Sequence, residues 1–503
     1  MRSESSLNPL FVLIWTPLVG ALVTLSLAPF DFWPAGILSC ALYAHLLCTC
    51  SAKQGLWRGW LYGFGMFGSG VSWIYVSIHV HGNASVPLAA MLTAVFCAGL
   101  ALFHALFAWL YVRLVRPLPG GMLVGFPALW VLFEWFREWA LTGFPWLYLG
   151  YAHVSTWISG WAPITGVFGL SFICAISGTC LFLAWRSRKA VSCTTYAVVL
   201  VTLWGGGAIL KPTQWVGQAN ERPITVALVQ PNVPQEQKWD PRWYNAILQQ
   251  LRDSTEGLLG RDIVIWPESA IPNYFQQAQN FLEPISQRAA AAGTTLITGA
   301  PYRATGSSAS YNGIAAVGAG KGIYLKQRLV PFGEYVPLES QLRGLIDFFD
   351  LPMSSFSSGP AEQKPLSSGA YRIAPFICYE IVYGGLVAKN AQDAELLVTI
   401  SNDSWFGDSI GPWQHLQIAQ MRGRENGRYV LRATNNGISA IIDHQGRIVK
   451  RTEQFVETTL TGQAEAMLGN TPFSSFGNKP MVIACFLGLI LMWLMYLGFW
   501  REN

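Results

Sequence analysis

A chain of 503 residues has room for two or three domains, and its composition excludes an ordinary soluble protein: 52% of the residues are hydrophobic and only 12% are charged, about half the usual fraction. The net charge of +5 is mild and no basic run interleaves with aromatics, which argues against nucleic acid as a partner. Of the 61 Lys, Arg, Asp and Glu residues, 13 lie in residues 1–210 and the other 48 in residues 211–503, so the first part reads as membrane and most of the second as soluble.

Apolar stretches near the 20 residues that cross a bilayer fall at 9–28, 33–50, 57–78, 87–112, 122–141, 163–185, 191–210 and 480–500, which predicts eight spans. Arg2, Lys53, Arg58, Arg113, Arg116, Arg186, Arg188, Lys189 and Arg501 all fall at the chain ends or in even-to-odd connections. Those positions are expected on the cytoplasmic side. Three domains follow: seven helices in 1–210, an extracytoplasmic domain in 211–479, and an eighth helix with a cytoplasmic C-terminus in 480–503. The first span lacks a small-x-small cleavage site after LSLAPFDF and reads as retained. Aromatics such as Trp73, Trp135, Trp139, Trp146, Tyr148, Tyr151, Trp157 and Trp161 gather toward the outer ends of the spans, where such rings anchor helices. The alternative is that 142–162 forms part of a lipid-entry surface. Glu134, Arg137 and Glu138 are costly in lipid, and structural pairing is their expected role. His79 and His81 flank a short outer loop with no further ligand nearby, so no metal site is expected there.

From residue 224 the pattern becomes short apolar runs punctuated by turns. Strands are predicted at 224–230, 262–268, 294–300, 312–318, 322–328, 371–380 and 395–401, with helices at 241–259 and 280–292. Gly318, Gly320 and Gly322 surround one hairpin turn, and DHQG at 443–446 marks another. Alternating strands and helices with a few hairpins argue for an α/β sandwich of mixed sheet.

Eight of the nine cysteines lie in or beside predicted spans, and Cys378 stands alone in the outer domain. A solitary thiol there is either buried and inert or kept for chemistry. Glu268 ends one predicted strand, Lys326 lies in a hairpin strand and Cys378 ends another. Ligands in open α/β sheets bind beyond strand carboxyl ends, so a base, a cation and a nucleophile can converge. An ordinary thiol and an ordinary Glu differ by about 4 pKa units. Burial of the Glu and a nearby ammonium are therefore expected to shrink that gap, and the ammonium also suits an oxyanion. His415 and His444 are the domain's histidines; nothing in the sequence places either beside Cys378, and a Cys/His dyad is the less favoured pairing.

WPES at 266–269, K-x-R-L-V-P-F-G-E at 326–334 and I-C-Y-E at 377–380 resemble the Glu-Lys-Cys motifs of the nitrilase superfamily. With seven spans before this domain and one after it, the chain resembles the bacterial apolipoprotein N-acyltransferase family over its full length. The resemblance implies an αββα sandwich on an eight-span base in the cell inner membrane, with the catalytic domain in the periplasm. It implies Glu268 as base, Lys326 as oxyanion stabiliser and Cys378 as nucleophile, with Glu334 supporting the lysine and Tyr379, Glu380 and Trp239 near the pocket. It also implies a phospholipid donor, phosphatidylethanolamine above all, whose sn-1 acyl chain forms a thioester. The acceptor is then the α-amino group of the S-diacylglyceryl cysteine of an apolipoprotein. No metal or cofactor is called for, and a monomer is expected.

Two apolar segments, 341–356 and 403–413, are candidate lids that dip toward the bilayer, with packed insertions as the alternative. Two other readings stay open: a membrane-tethered amidase or nitrilase that hydrolyses a carbon–nitrogen bond, and a transporter or receptor whose outer domain only binds ligand.

Overall fold

A computed structural model describes residues 8–187, 189–219, 222–304, 306, 308–335 and 355–502. They form two compact units, one of residues 1–75, 85–213 and 478–503, the other of residues 76–84 and 214–477.

The first unit is a helical bundle. Five helical stretches among the described residues are long and apolar enough to cross a membrane: Pro9–Ser26, Val86–Val115, Trp157–Ser187, Ala190–Leu210 and Lys479–Gly498. Three further helices, Pro34–Leu47, Ala52–Gly70 and Phe126–Trp139, lie at the other expected spans but are shorter or less apolar. Ala52–Gly70 owes its low hydropathy to Lys53, Gln54 and Arg58 in its first two turns, and it is also rich in glycine. A Cβ on Gly59 would lie 2.2 Å from the carbonyl oxygen of His104, and one on Gly65 2.0 Å from that of Pro17. Glycine there lets three helix backbones meet, the main source of association between helices in lipid. Glu134 is buried and accepts hydrogen bonds from Trp130 Nε1 and Leu149 N, both at 3.0 Å. The guanidinium of Arg137 lies 5.1 Å from the ring centroids of both Phe67 and Tyr148. Among the expected anchors Trp139 and Trp157 are exposed, whereas Trp73, Trp146, Tyr148 and Tyr151 are buried within the bundle. Those four are packing residues first.

In the second unit twelve strands form one ladder that folds over on itself. The first half runs, in spatial order, Thr458–Ala464, Ile224–Gln230, Ile263–Ile265, Thr295–Arg303, Ser310–Gly318 and Gly320–Leu325; the second runs Leu366–Ser368, Tyr371–Ile377, Leu396–Ser401, Tyr429–Thr434, Ala440–Ile442 and Ile448–Arg451. Among the described residues the ladder passes from one half to the other at Gly320 and Lys321, paired with Ser368 and Ser367. Alternate side chains of both halves, among them Val226, Leu228, Ile265, Ile297, Ile373, Val398 and Leu431, fill one apolar core between the sheets. Each such buried side chain contributes about 1.5–3 kcal/mol. Helices Tyr244–Glu256 and Gln279–Ala291 cover the outer face of the first half, and Gly384–Ala391 and Gly411–Asn426 that of the second. The result is an αββα sandwich. At its centre two parallel triplets, 224–230 with 263–265 and 295–303, and 371–377 with 396–401 and 429–434, set strand carboxyl ends side by side.

The predicted strands are present, with three of them ending early at their carboxyl ends. The expected strand 262–268 stops at Ile265, 322–328 at Leu325 and 371–380 at Ile377. Glu268, Lys326 and Cys378 therefore lie just past strand ends, Glu268 and Cys378 in turns and Lys326 directly after its strand.

Candidate active site

Cys378 follows Ile377 with φ +51°, a left-handed conformation that a non-glycine residue adopts only under strong local constraint. It opens a 3-10 turn, Cys378–Val382, and is partly exposed. Glu380 supplies much of the constraint. Its fully buried carboxylate accepts from Ile377 N at 2.8 Å on one oxygen, and from Tyr324 Oη at 2.9 Å, Gln327 N at 2.7 Å and Arg328 N at 3.2 Å on the other. It thus ties the turn of Cys378 to the segment that follows Lys326. Burial pushes the Glu380 carboxyl up to about 7, against the pull of those main-chain donors.

Lys326 is 1% exposed, with Nζ 2.8 Å from Glu334 Oε2 and 3.7 Å from Glu268 Oε1. Asn312 Nδ2 donates to both carboxylates, at 2.8 Å to Glu268 and 2.9 Å to Glu334. Asn402 N donates to Glu268 Oε2 at 2.8 Å, and Val330 N to Glu334 Oε2 at 2.9 Å. Burial raises the Glu268 carboxyl; Lys326 opposes the rise and Glu334 adds to it. Burial alone would depress Lys326, but Glu334 and Glu268 outweigh it and hold the ammonium charged.

The thiol behaves differently from expectation. Burial pushes Cys378 up to about 12, Glu268 adds to the rise, and Lys326 only partly offsets it. The rise of the Glu268 carboxyl narrows the gap between acid and base while the rise of the thiol widens it, and the resting sulfur keeps its proton.

Comparison with known proteins places both units. Residues 19–180 match the model of the apolipoprotein N-acyltransferase N-terminal domain, and residues 225–472 that of carbon-nitrogen hydrolases. The chain is 48% identical to the apolipoprotein N-acyltransferase of Pseudomonas paraeruginosa, over 94% of this chain and 93% of that one. It is 38% identical to that of Coxiella burnetii, over 95% and 99%. The chain belongs to the apolipoprotein N-acyltransferase family. Among solved structures, Saccharomyces cerevisiae Nit3 of the nitrilase superfamily covers 50% of the chain at 18% identity, with a TM-score of 0.37.

Within this family member, the structure brings Glu268, Lys326 and Glu334 into one cluster, and the charges of Glu268 and Lys326 act on Cys378. Tyr379 is buried, its ring edge-on to Tyr383 at 5.4 Å. Trp239 ends the short helix Gln235–Lys238 half-buried, and it is the neighbouring Lys238 whose Nζ reaches the main-chain carbonyl of Glu268, at 2.8 Å. Burial lowers Lys238 to about 8, with Glu268 and Cys378 pulling the other way.

Sequence reasoning missed Lys238, Asn312 and Asn402. It also missed a buried group under the nucleophile: Arg432 donates to Asp403 Oδ2 at 2.6 Å, and His415 Nδ1 lies 3.2 Å from Asp403 Oδ1 and 3.1 Å from Arg432. His415 Nε2 faces the carbonyl oxygen of Cys378 at 3.2 Å. A carbonyl only accepts, so that nitrogen carries the hydrogen, and the ring holds the main chain of Cys378. Burial, with Arg432 adding, lowers His415 and keeps it neutral. Of the two expected lids, 341–354 lies outside the described residues. The other is packed: a turn at Asp403–Phe406 leads into the helix Gly411–Asn426, and Trp413 lies beneath Arg451 with guanidinium and ring 4.6 Å apart.

Proposed function

We propose that this member of the apolipoprotein N-acyltransferase family moves an acyl chain in two steps through Cys378. In the first, Cys378 attacks the sn-1 ester carbonyl of a phospholipid, phosphatidylethanolamine above all, while Glu268 takes the thiol proton. The carbon–oxygen bond to glycerol then breaks, Glu268 returns the proton to that oxygen, and a lysophospholipid leaves behind a thioester. In the second, the neutral α-amino group of the S-diacylglyceryl cysteine of an apolipoprotein attacks the thioester. The carbon–nitrogen bond forms, the carbon–sulfur bond breaks, and the amine's proton passes through Glu268 back to sulfur. Because the resting thiol is held protonated, proton transfer accompanies bond formation rather than preceding it. Lys326 faces the developing oxyanion, and Glu334 keeps the lysine charged and in place. Glu380 and Tyr379 shape the nucleophile's turn, and Trp239 lines the approach.

The observation that carries this reading is a partly exposed cysteine on a left-handed turn, acted on by the charges of Glu268 and Lys326 from a buried Glu–Lys–Glu cluster at the strand carboxyl ends. The distribution of basic residues supports eight spans in the cell inner membrane, with the sandwich in the periplasm. The working unit is a monomer. Intact-mass analysis of the protein incubated with phosphatidylethanolamine tests the chemistry. The expected result is a gain of one acyl chain, labile to hydroxylamine, absent in Cys378→Ala and discharged by a diacylglyceryl-cysteinyl peptide. Release of free fatty acid with no acyl-enzyme would establish a hydrolase instead.

A further inference from the structure

Residues 76–84 lie in sequence between the bundle helices Ala52–Gly70 and Val86–Leu110, yet fold as part of the sandwich unit. They make one π-helical turn, Ser77–His81, closed by His79 Nδ1 against Ala84 O at 2.7 Å. This arm grips the turn that follows the strand Leu396–Ser401. Ser77 Oγ donates to Trp405 O at 2.7 Å. His81 Nε2 lies 2.9 Å from Ser404 O and, facing a carbonyl, donates to it. The same imidazole meets the Trp405 indole edge-on, with centroids 5.1 Å apart. Val76 presses on Gly407, where φ is +58° and a Cβ would come within 2.8 Å of Val76 Cγ1. Only glycine suits that position.

The gripped turn begins with the two residues that hold the reacting groups. Asn402 N donates to Glu268 Oε2, and Ser404 Oγ donates to Asn402 Oδ1 at 2.8 Å. Asp403 anchors Arg432, which donates to His415 Nδ1, and His415 Nε2 donates to the carbonyl of Cys378. Base and nucleophile are thus each held from residues 402 and 403, and the arm fixes the main chain at 404 and 405.

We infer that residues 76–84 are a positioning arm: Ser77 and His81 clamp the 404–407 turn so that Asn402 and Asp403 hold Glu268 and the Cys378 turn in register for acyl transfer. The inference rests on the acyl-transfer reading for its substrate and on the hydrogen-bond chain for its geometry. The chain enters the arm from one bundle helix and leaves into the next, so a segment of the membrane half of the sequence completes the catalytic framework.

Full-length Ser77→Ala, His81→Ala and His81→Gln in detergent test it by the rate of Cys378 acylation at saturating phosphatidylethanolamine, the KM for that donor, and the rate of Cys378 alkylation by iodoacetamide. Each loss of one hydrogen bond is expected to slow acylation and alkylation about three- to ten-fold. The KM should stay within about two-fold, and His81→Gln, which keeps a donor, should recover most of the rate. Wild-type rates in His81→Ala, a loss confined to KM, or a His81→Gln as slow as His81→Ala would each overturn the arm. If His81→Ala fails to fold, Ser77→Ala carries the same test. A wild-type protein that forms no acyl-enzyme would sink the acyl-transfer reading instead, and the alkylation rates of the variants would still decide the arm.

Discussion

The bundle and the sandwich both bury charge but close it differently. In the bundle, Glu134 takes an indole N–H and a main-chain N–H, and Arg137 lies between two aromatic rings. In the sandwich one ammonium, Lys326, and one amide, Asn312, are each shared by two carboxylates. Groups held by donors that do not titrate are structural, whereas two carboxylates in competition for one cation leave a proton free to move. The same cost of burying charge is therefore met as packing in one unit and, on the acyl-transfer reading proposed above, as acid–base chemistry in the other.

The comparison breaks most sharply at the shared cluster. Glu268→Gln removes the proton acceptor and leaves one amide oxygen for only one of the two donors, Asn312 Nδ2 or Asn402 N, and acylation measured by intact mass should fall by about 10³-fold or more. A loss below about ten-fold would remove Glu268 as base. Glu334→Gln is the next largest, at about 10- to 100-fold, and its signature is the pH profile. Glu334 raises the Glu268 carboxyl, and the base works only when ionised. Neutralising Glu334 should therefore lower the Glu268 pKa and move the acid limb of acylation to lower pH. A limb that stays in place would mean that Glu334 acts through Lys326 alone.

Much of this was legible in the chain, for identifiable reasons. WPES, KxRLVPFGE and ICYE mark Glu268, Lys326, Glu334 and Cys378 because each turn needs several special residues in a row. Pro267 cannot continue a ladder, which explains why Glu268 stands beyond its strand rather than at its tip. Asn312 and Asn402 were illegible because a single polar residue in an apolar strand or turn has many uses. The helix Gly411–Asn426 was missed because its sequence is polar although nearly all of it is buried. Arg422 and Glu425 pair inside it at 2.9 Å, so the usual apolar stripe is absent. Asp403, His415 and Arg432 meet only through tertiary structure, and no spacing announces them. The shift of the thiol was misjudged because burial, the largest influence on it, depends on packing that a sequence does not display.

Bundle variants sharpen the other side. Gly59→Val would drive a side chain into the carbonyl of His104, where even a Cβ comes to 2.2 Å. The helices must then separate, and thermal stability in detergent should fall markedly while the acylation rate of the surviving folded fraction changes little. Glu134→Gln should do least. The amide oxygen still accepts from Trp130 and Leu149, but buried Arg137 loses the charge of Glu134 that acts with it, so the loss of stability should be about 1–3 kcal/mol while the acylation rate should match wild type across pH. A Glu134→Gln protein whose pH profile moved as that of Glu334→Gln does would show that the bundle carboxylate also takes part in proton traffic, and the division between a packed charge and a working one would no longer follow the two units.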